Sequence, residues 1–149
     1  MKKTPLQKQN LIENCFGCGT ENEEGLRIES HWEGDETVAI WQPKHHHRSG
    51  NPKILYGGII ASLIDCHSIN TAISQAYKNE KREPGSEPVI NYVTGQLQVS
   101  YKKPIPIEKT LRVKAKVVRV EGRKTWLEST IDYDNNICAE GKVLAVRVD

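Results

Sequence analysis

The chain has 149 residues, 37% of them hydrophobic and 27% charged, with a formal net charge of +2. That is one domain's length, enough to bury a core without staples. Lysine and arginine are scattered rather than blocked and aromatics are only 6%, which excludes a nucleic-acid footprint as the leading reading.

Residues 1–25 are polar and turn-rich and read as an irregular lead-in. They carry three lysines but no apolar core of a secretory leader, so a cytoplasmic protein is expected. Cys15, Cys18, Cys66 and Cys138 are then thiols rather than two disulfides. Leu26 to Trp32 alternates apolar and polar residues, as a half-buried strand does, and Gly34-Asp35 turns it into a partner at Thr37–Trp41. Pro43 to Pro52 is a loop with three consecutive histidines. A long helix runs from about Gly57 to Tyr77 on the apolar run Ile59, Ile60, Leu63, Ile64, Ile69 and Ile73. It is interrupted by Asp65, His67 and Asn70, so it is no membrane span. After a charged loop at 79–88 the period changes to two. Strands are expected over Val89–Tyr101, Leu111–Val117, Trp126–Tyr133 and Ile137–Val148, joined as a meander through turns at Glu121-Gly122 and Asp134-Asn135-Asn136. The whole reads as a single α+β domain over 1–149, with an antiparallel sheet of about six strands wrapped round one long central helix. Such a sheet leaves an open edge and an uncovered helix face, and dimerisation would close both.

The chemistry concentrates at the helix. Gly57 and Gly58 open it, where amides lack intrahelical partners and the dipole favours negative charge. Asp65 places a carboxylate where a core helix would carry another leucine, and a carboxylate in such surroundings must be tied down or used. A bare amide beside an acid is the outline of an acyl-transfer site. Eight residues separate Gly57 from Asp65, about 12 Å along a helix. Both cannot reach one reacting carbon, which needs groups within about 3.5 Å. If both act, the site lies between two antiparallel copies of the helix.

The glycine–aspartate helix, together with Cys15-Phe16-Gly17-Cys18-Gly19 followed by Gly25-Leu26, and Tyr101-Lys102-Lys103-Pro104, resembles the hot-dog fold acyl-CoA thioesterases, in particular the PaaI-like branch. The resemblance covers nearly the whole chain. It implies a homodimer or homotetramer that hydrolyses acyl-CoA thioesters without metal or organic cofactor, using the Gly57 amide, with Gly58 beside it, and Asp65 as base or nucleophile. The branch often has an asparagine before the glycines, for which Asn51 is the nearest match, one residue out of register. It also often has Ser or Thr on the first long strand, where Thr94 aligns. Tyr56 stands where the family usually has histidine. Tyr56, Lys102, Lys103 and Arg123 are assigned to substrate binding, the basic residues (with Lys124) to coenzyme A phosphates; lysines on strand ends are equally ordinary edge protection.

Other readings compete. A hot-dog protein that binds acyl-CoA without hydrolysing it is the alternative, supported by Tyr56. A dehydratase would pair Asp65 with His67, but two residues is about 200° round a helix; His67 is expected to be structural. His45, His46 and His47 read as solvated surface. Cys15-x-x-Cys18 matches half of a zinc knuckle. No second CxxC or HxxxH pair follows at finger-like spacing, so a structural turn and no metal are expected. Cys66, His67 and Cys138 are further ligand candidates only if the fold brings them close.

Overall fold

A computed structural model describes residues 3–148. Its elements in chain order are α1 (Leu6–Gln9), β1 (Ser30–Glu33), β2 (Glu36–Trp41), a 3-10 turn at His45–His47, α2 (Gly57–Asn79), β3 (Asn91–Tyr101), β4 (Leu111–Glu121), β5 (Lys124–Tyr133) and β6 (Asn136–Val148). The strands form one antiparallel six-stranded sheet in the order β1-β2-β4-β5-β6-β3.

Two expectations about the strands need correction. The last four strands are not a simple meander: β4, β5 and β6 are, but β3 pairs with β6 and occupies the sheet edge. The first strand begins at Ser30 rather than Leu26. The Leu26 and Ile28 amides instead donate to the Phe16 and Gly17 carbonyls, so the cysteine loop uses the hydrogen bonds that an extended β1 would have claimed.

Register explains where the helix lies. Thr37, Ala115, Ser129, Gly141 and Val99 are consecutive cross-strand neighbours on β2, β4, β5, β6 and β3. Four of these five are small, and α2 settles into the furrow that they leave. A Cβ added to Gly141 would stand 2.5 Å from Cγ2 of Ile64, so Ile64 fits only because that position has no side chain. The inner face also carries Leu111, Val113, Leu127, Ile131, Ala139, Val143 and Ala145, all buried. Lys116, Glu128, Glu140 and Lys142 point outward to solvent, the alternation of a sheet wet on one side.

The opposite side of α2 is covered by the chain's own lead-in, which is no loose arm. Leu6, Gln7, Asn10 and Cys18 are buried. Asn10 Nδ2 donates to Asn70 Oδ1 at 3.2 Å and Ser74 Oγ at 3.1 Å. This contact satisfies polar groups on a helix buried nearly all round, and it accounts for Asn70, one of the three interruptions in the apolar pattern of α2.

Candidate functional site

The start of α2 is built to leave amides unclaimed. The N-cap residue Tyr56 is extended (φ −61°, ψ 130°) and no side chain caps the helix. The first intrahelical bonds come from Ile59 and Ile60 to the Tyr56 carbonyl, so the Gly57 and Gly58 amides precede the ladder. The Tyr56 ring lies over Gly58, where an added Cβ would be 2.4 Å from it. Tyr101, at the end of β3, donates its hydroxyl to the Gly57 carbonyl at 2.8 Å. Tyr101 is a contact that motif reading missed; its only signal was its place before Lys102-Lys103-Pro104.

Two turns further on, Asp65 is half-buried rather than fully enclosed. Its Oδ1 accepts from the Thr94 hydroxyl at 2.5 Å, so these two expected site residues are brought together. The local reason is a bulge between Thr94 and Gln96, at Gly95, where β3 slips one residue against β6. Without it, Thr94 would share a face with the outward Gln96 and Gln98. With it, Thr94 falls in line with Leu97, Val99 and Tyr101, facing the helix. The edge strand therefore grips α2 at two points, Tyr101 at Gly57 and Thr94 at Asp65.

The remaining candidates are dispersed. Asn51 sits in an exposed turn, its Oδ1 accepting from the Lys53 amide at 3.0 Å. Lys102 and Lys103 follow β3 directly, exposed, with both amides donating to the Cys138 carbonyl. Arg123 lies in the β4–β5 turn, at the other end of the strands: Lys124 pairs with Val146, which also pairs with Val93, whereas Tyr101 pairs with Ala139. One chain therefore does not gather the three basic residues. Two of its clefts also lie elsewhere, one lined by Leu11, Glu13, Cys18 and Arg27, the other by Asp35, Lys116 and Arg119.

His67 is structural, as its helical angle implied. It is fully buried, with Nδ1 2.7 Å from Ser30 Oγ and Nε2 2.9 Å from Thr37 Oγ1. Gln7 in turn bonds both the hydroxyl and the amide of Ser30. Burial depresses its pKa to about 4 despite a bond to the Thr37 backbone. The ring is therefore neutral and has no contact with Asp65.

The histidine triplet departs from the solvated-loop expectation at one position. His45 and His46 are exposed, but His47 is buried against Trp41, ring centroids 5.2 Å apart, and accepts from the Lys44 amide at 2.9 Å. Burial lowers its pKa first, with His46 and Lys44 adding repulsion. The cysteines depart further: the Sγ atoms of Cys15, Cys18 and Cys66 lie within 4.8 Å of one another. His67 faces the other way, and Cys138 is buried on β6, its thiol donating to the Asn136 carbonyl.

A family model described as Thioesterase superfamily matches residues 53–132, which include both glycines, Asp65 and Thr94. A thioesterase superfamily protein from Shewanella loihica PV-4 is 30% identical, with a TM-score of 0.70 over 95% of this chain and 99% of that one. The E. coli PaaI protein from the phenylacetic acid degradation operon shares the fold at 17% identity and a TM-score of 0.68, over 83% of this chain and 81% of its own. Among curated proteins, the acyl-coenzyme A thioesterase THEM4 of Mus musculus is 29% identical over 115 residues, 76% of this chain and 44% of that protein. The chain thus spans less than half the length of that relative. No described helix is long and apolar enough to cross a membrane.

Proposed function

Because the chain belongs to the thioesterase superfamily, we propose that it hydrolyses acyl-CoA thioesters at a site shared between two copies of itself. The observation that carries this reading is the double grip of one edge strand: Thr94 bonds Asp65 and Tyr101 bonds Gly57. Among the described residues β3 has a partner only on its β6 side, and Val93 and Tyr101 are exposed along it. An open edge of this length invites pairing. If two β3 strands pair antiparallel about their middle, near Leu97 and Gln98, Tyr101 of one copy stands beside Thr94 of the other. The free amide of one helix start then approaches the carboxylate of the other helix, bridging the roughly 12 Å that separates them within one chain. Two equivalent sites result.

At such a site the Gly57 amide, with Gly58 beside it, polarises the thioester carbonyl and meets the oxyanion that forms on it. With Asp65 as base, water gives up its proton to the carboxylate while its oxygen bonds the carbonyl carbon. The C–S bond then breaks, and coenzyme A leaves as the thiolate to be protonated. With Asp65 as nucleophile, a carboxylate oxygen bonds the carbon instead, and water later opens the anhydride. Either way the Thr94 hydroxyl holds the acting carboxylate in place. Lys102 and Lys103 directly follow Tyr101, whose hydroxyl bonds the helix start, and would meet the coenzyme A phosphates from there. The same pairing brings the Arg123 end of the second copy to that side. The activity needs no cofactor, since a thioester is already activated. Asn51, its side-chain oxygen held by the Lys53 amide, would contribute from the loop before the helix.

Tyr56 favours a second reading, acyl-CoA binding without hydrolysis, because its ring covers Gly58. One assay separates the two: thiol release from short, medium, long-chain and aromatic acyl-CoAs by wild type, Asp65→Asn and Asp65→Ala. Hydrolysis predicts turnover of at least one class, lost in both variants. Unchanged turnover in folded variants ends the proposal, and tight binding without thiol release by wild type supports the second reading.

A further inference from the structure

The cysteine loop of the lead-in has no part in the chemistry above, yet its backbone is shaped with care. In Cys15-Phe16-Gly17-Cys18-Gly19 the Gly19 amide donates to the Cys15 carbonyl at 2.7 Å, closing a tight turn. The Gly17 and Cys18 amides inside that turn are directed at the Cys15 sulfur. The turn is pressed onto α2 so closely that a Cβ on Gly17 would stand 2.2 Å from Cys66 Sγ. Cys15 Sγ and Cys66 Sγ are 3.7 Å apart. Cys18 completes the group within 4.8 Å, and its Sγ accepts from Asn70 Nδ2 at 3.4 Å.

Sulfurs at 2.3 Å from a tetrahedral zinc ion lie about 3.8 Å from one another. The Cys15–Cys66 separation is that of a tetrahedron's edge. Amides pointing at the first sulfur of a CxxC turn, and an amide nitrogen on the second, supply the outer hydrogen bonds that orient thiolate ligands. From this geometry we infer that Cys15, Cys18 and Cys66 form a binding site for a thiophilic divalent cation, Zn2+, pinning the lead-in to helix α2. Cys15 is exposed and the other two sulfurs are not, so the fourth corner faces solvent and is left to water or an external ligand. Binding releases the thiol protons to solvent, since the thiolate is the ligand. Cys66 directly follows Asp65, so the ion would also fix the turn of helix that carries the carboxylate. The site does not depend on thioester hydrolysis for its ligands or for its test.

The full chain, reduced and stripped with a chelator, is titrated with Co2+ and then Zn2+. One Co2+ per chain is expected, with the intense sulfur-to-cobalt charge-transfer absorption of a thiolate site, and Zn2+ is expected to bleach it. Each of Cys15→Ser and Cys66→Ser should remove about a third of that absorption per bound ion, whereas Cys138→Ser should behave as wild type. Absence of the absorption in wild type with all four thiols free overturns the site, as does an absorption that Cys15→Ser and Cys66→Ser leave intact. Cys15 is exposed, so its serine variant folds whatever the fate of Cys66→Ser, and the wild-type spectrum needs no variant.

Discussion

Gly57→Pro isolates the proposed amide from everything else at the helix start. Proline at the first helical position loses only an N–H that the helix does not use, and its φ suits the turn. The residue before a proline must be extended, and Tyr56 already is, at φ −61° and ψ 130°. A Cβ at position 57 would meet the Tyr101 ring at 3.4 Å, an ordinary contact. Folding stability should hold or rise by about 0.4–1 kcal/mol, because the unfolded chain loses freedom. Removing one oxyanion donor costs roughly 3 kcal/mol, or about 100- to 1000-fold in kcat. The assay is steady-state thiol release from the best acyl-CoA, beside a thermal melt of the same preparation. Gly57→Ala, which keeps the amide, should lose far less than Gly57→Pro. A folded Gly57→Pro variant with kcat within about twofold of wild type would refute the role given to this amide.

Thr94→Val removes the hydroxyl that holds Asp65. A hydrogen bond to a charged group contributes about 1.5–3 kcal/mol, so kcat should fall roughly 10- to 100-fold, with Thr94→Ser recovering most of it; equal losses in the two variants would contradict a positioning hydroxyl. His67 gives a pH prediction. Its folded pKa of about 4 lies below the ordinary 6.5, so the unfolded chain binds more protons between those values and stability falls as pH drops through that window. The loss attributable to this ring is roughly 2 kcal/mol by pH 5 and about 3 kcal/mol by pH 4. Urea denaturation of wild type and His67→Gln at pH 7 and pH 5 checks it, and an identical pH dependence in both would contradict a neutral buried ring.

Periodicity reveals which segments are strands but not which strands are neighbours. Leu111–Val117 and the helix from Gly57 were legible because their repeats differ, whereas the edge position of β3 depends on a pairing with β6 that lies some forty residues on. Leu26–Ile28 has the alternation of a strand, yet its amides are taken by the cysteine loop, a competition invisible without coordinates. Asp65 was identifiable by residue type and place and Thr94 through the family resemblance, but their contact depends on the bulge at Gly95, of which a glycine within a strand is the only written sign. The short side chains at Ser129 and Gly141 look unremarkable in sequence. They acquire meaning only when register lines them up beneath α2. The thiol cluster was half legible: CxxC is a local pattern, and Cys66 joins it only through the docking of the lead-in on the helix.

The shared site is tested most directly by complementation between Asp65→Ala and Gly57→Pro, each expected to be nearly inactive alone. Coexpressed in equal amounts, half of the dimers are mixed and each mixed dimer has one intact site of two, so about a quarter of wild-type turnover should return. No recovery in mixed dimers shown to have formed would mean that the amide and the carboxylate act within one chain or not together, and would contradict the account.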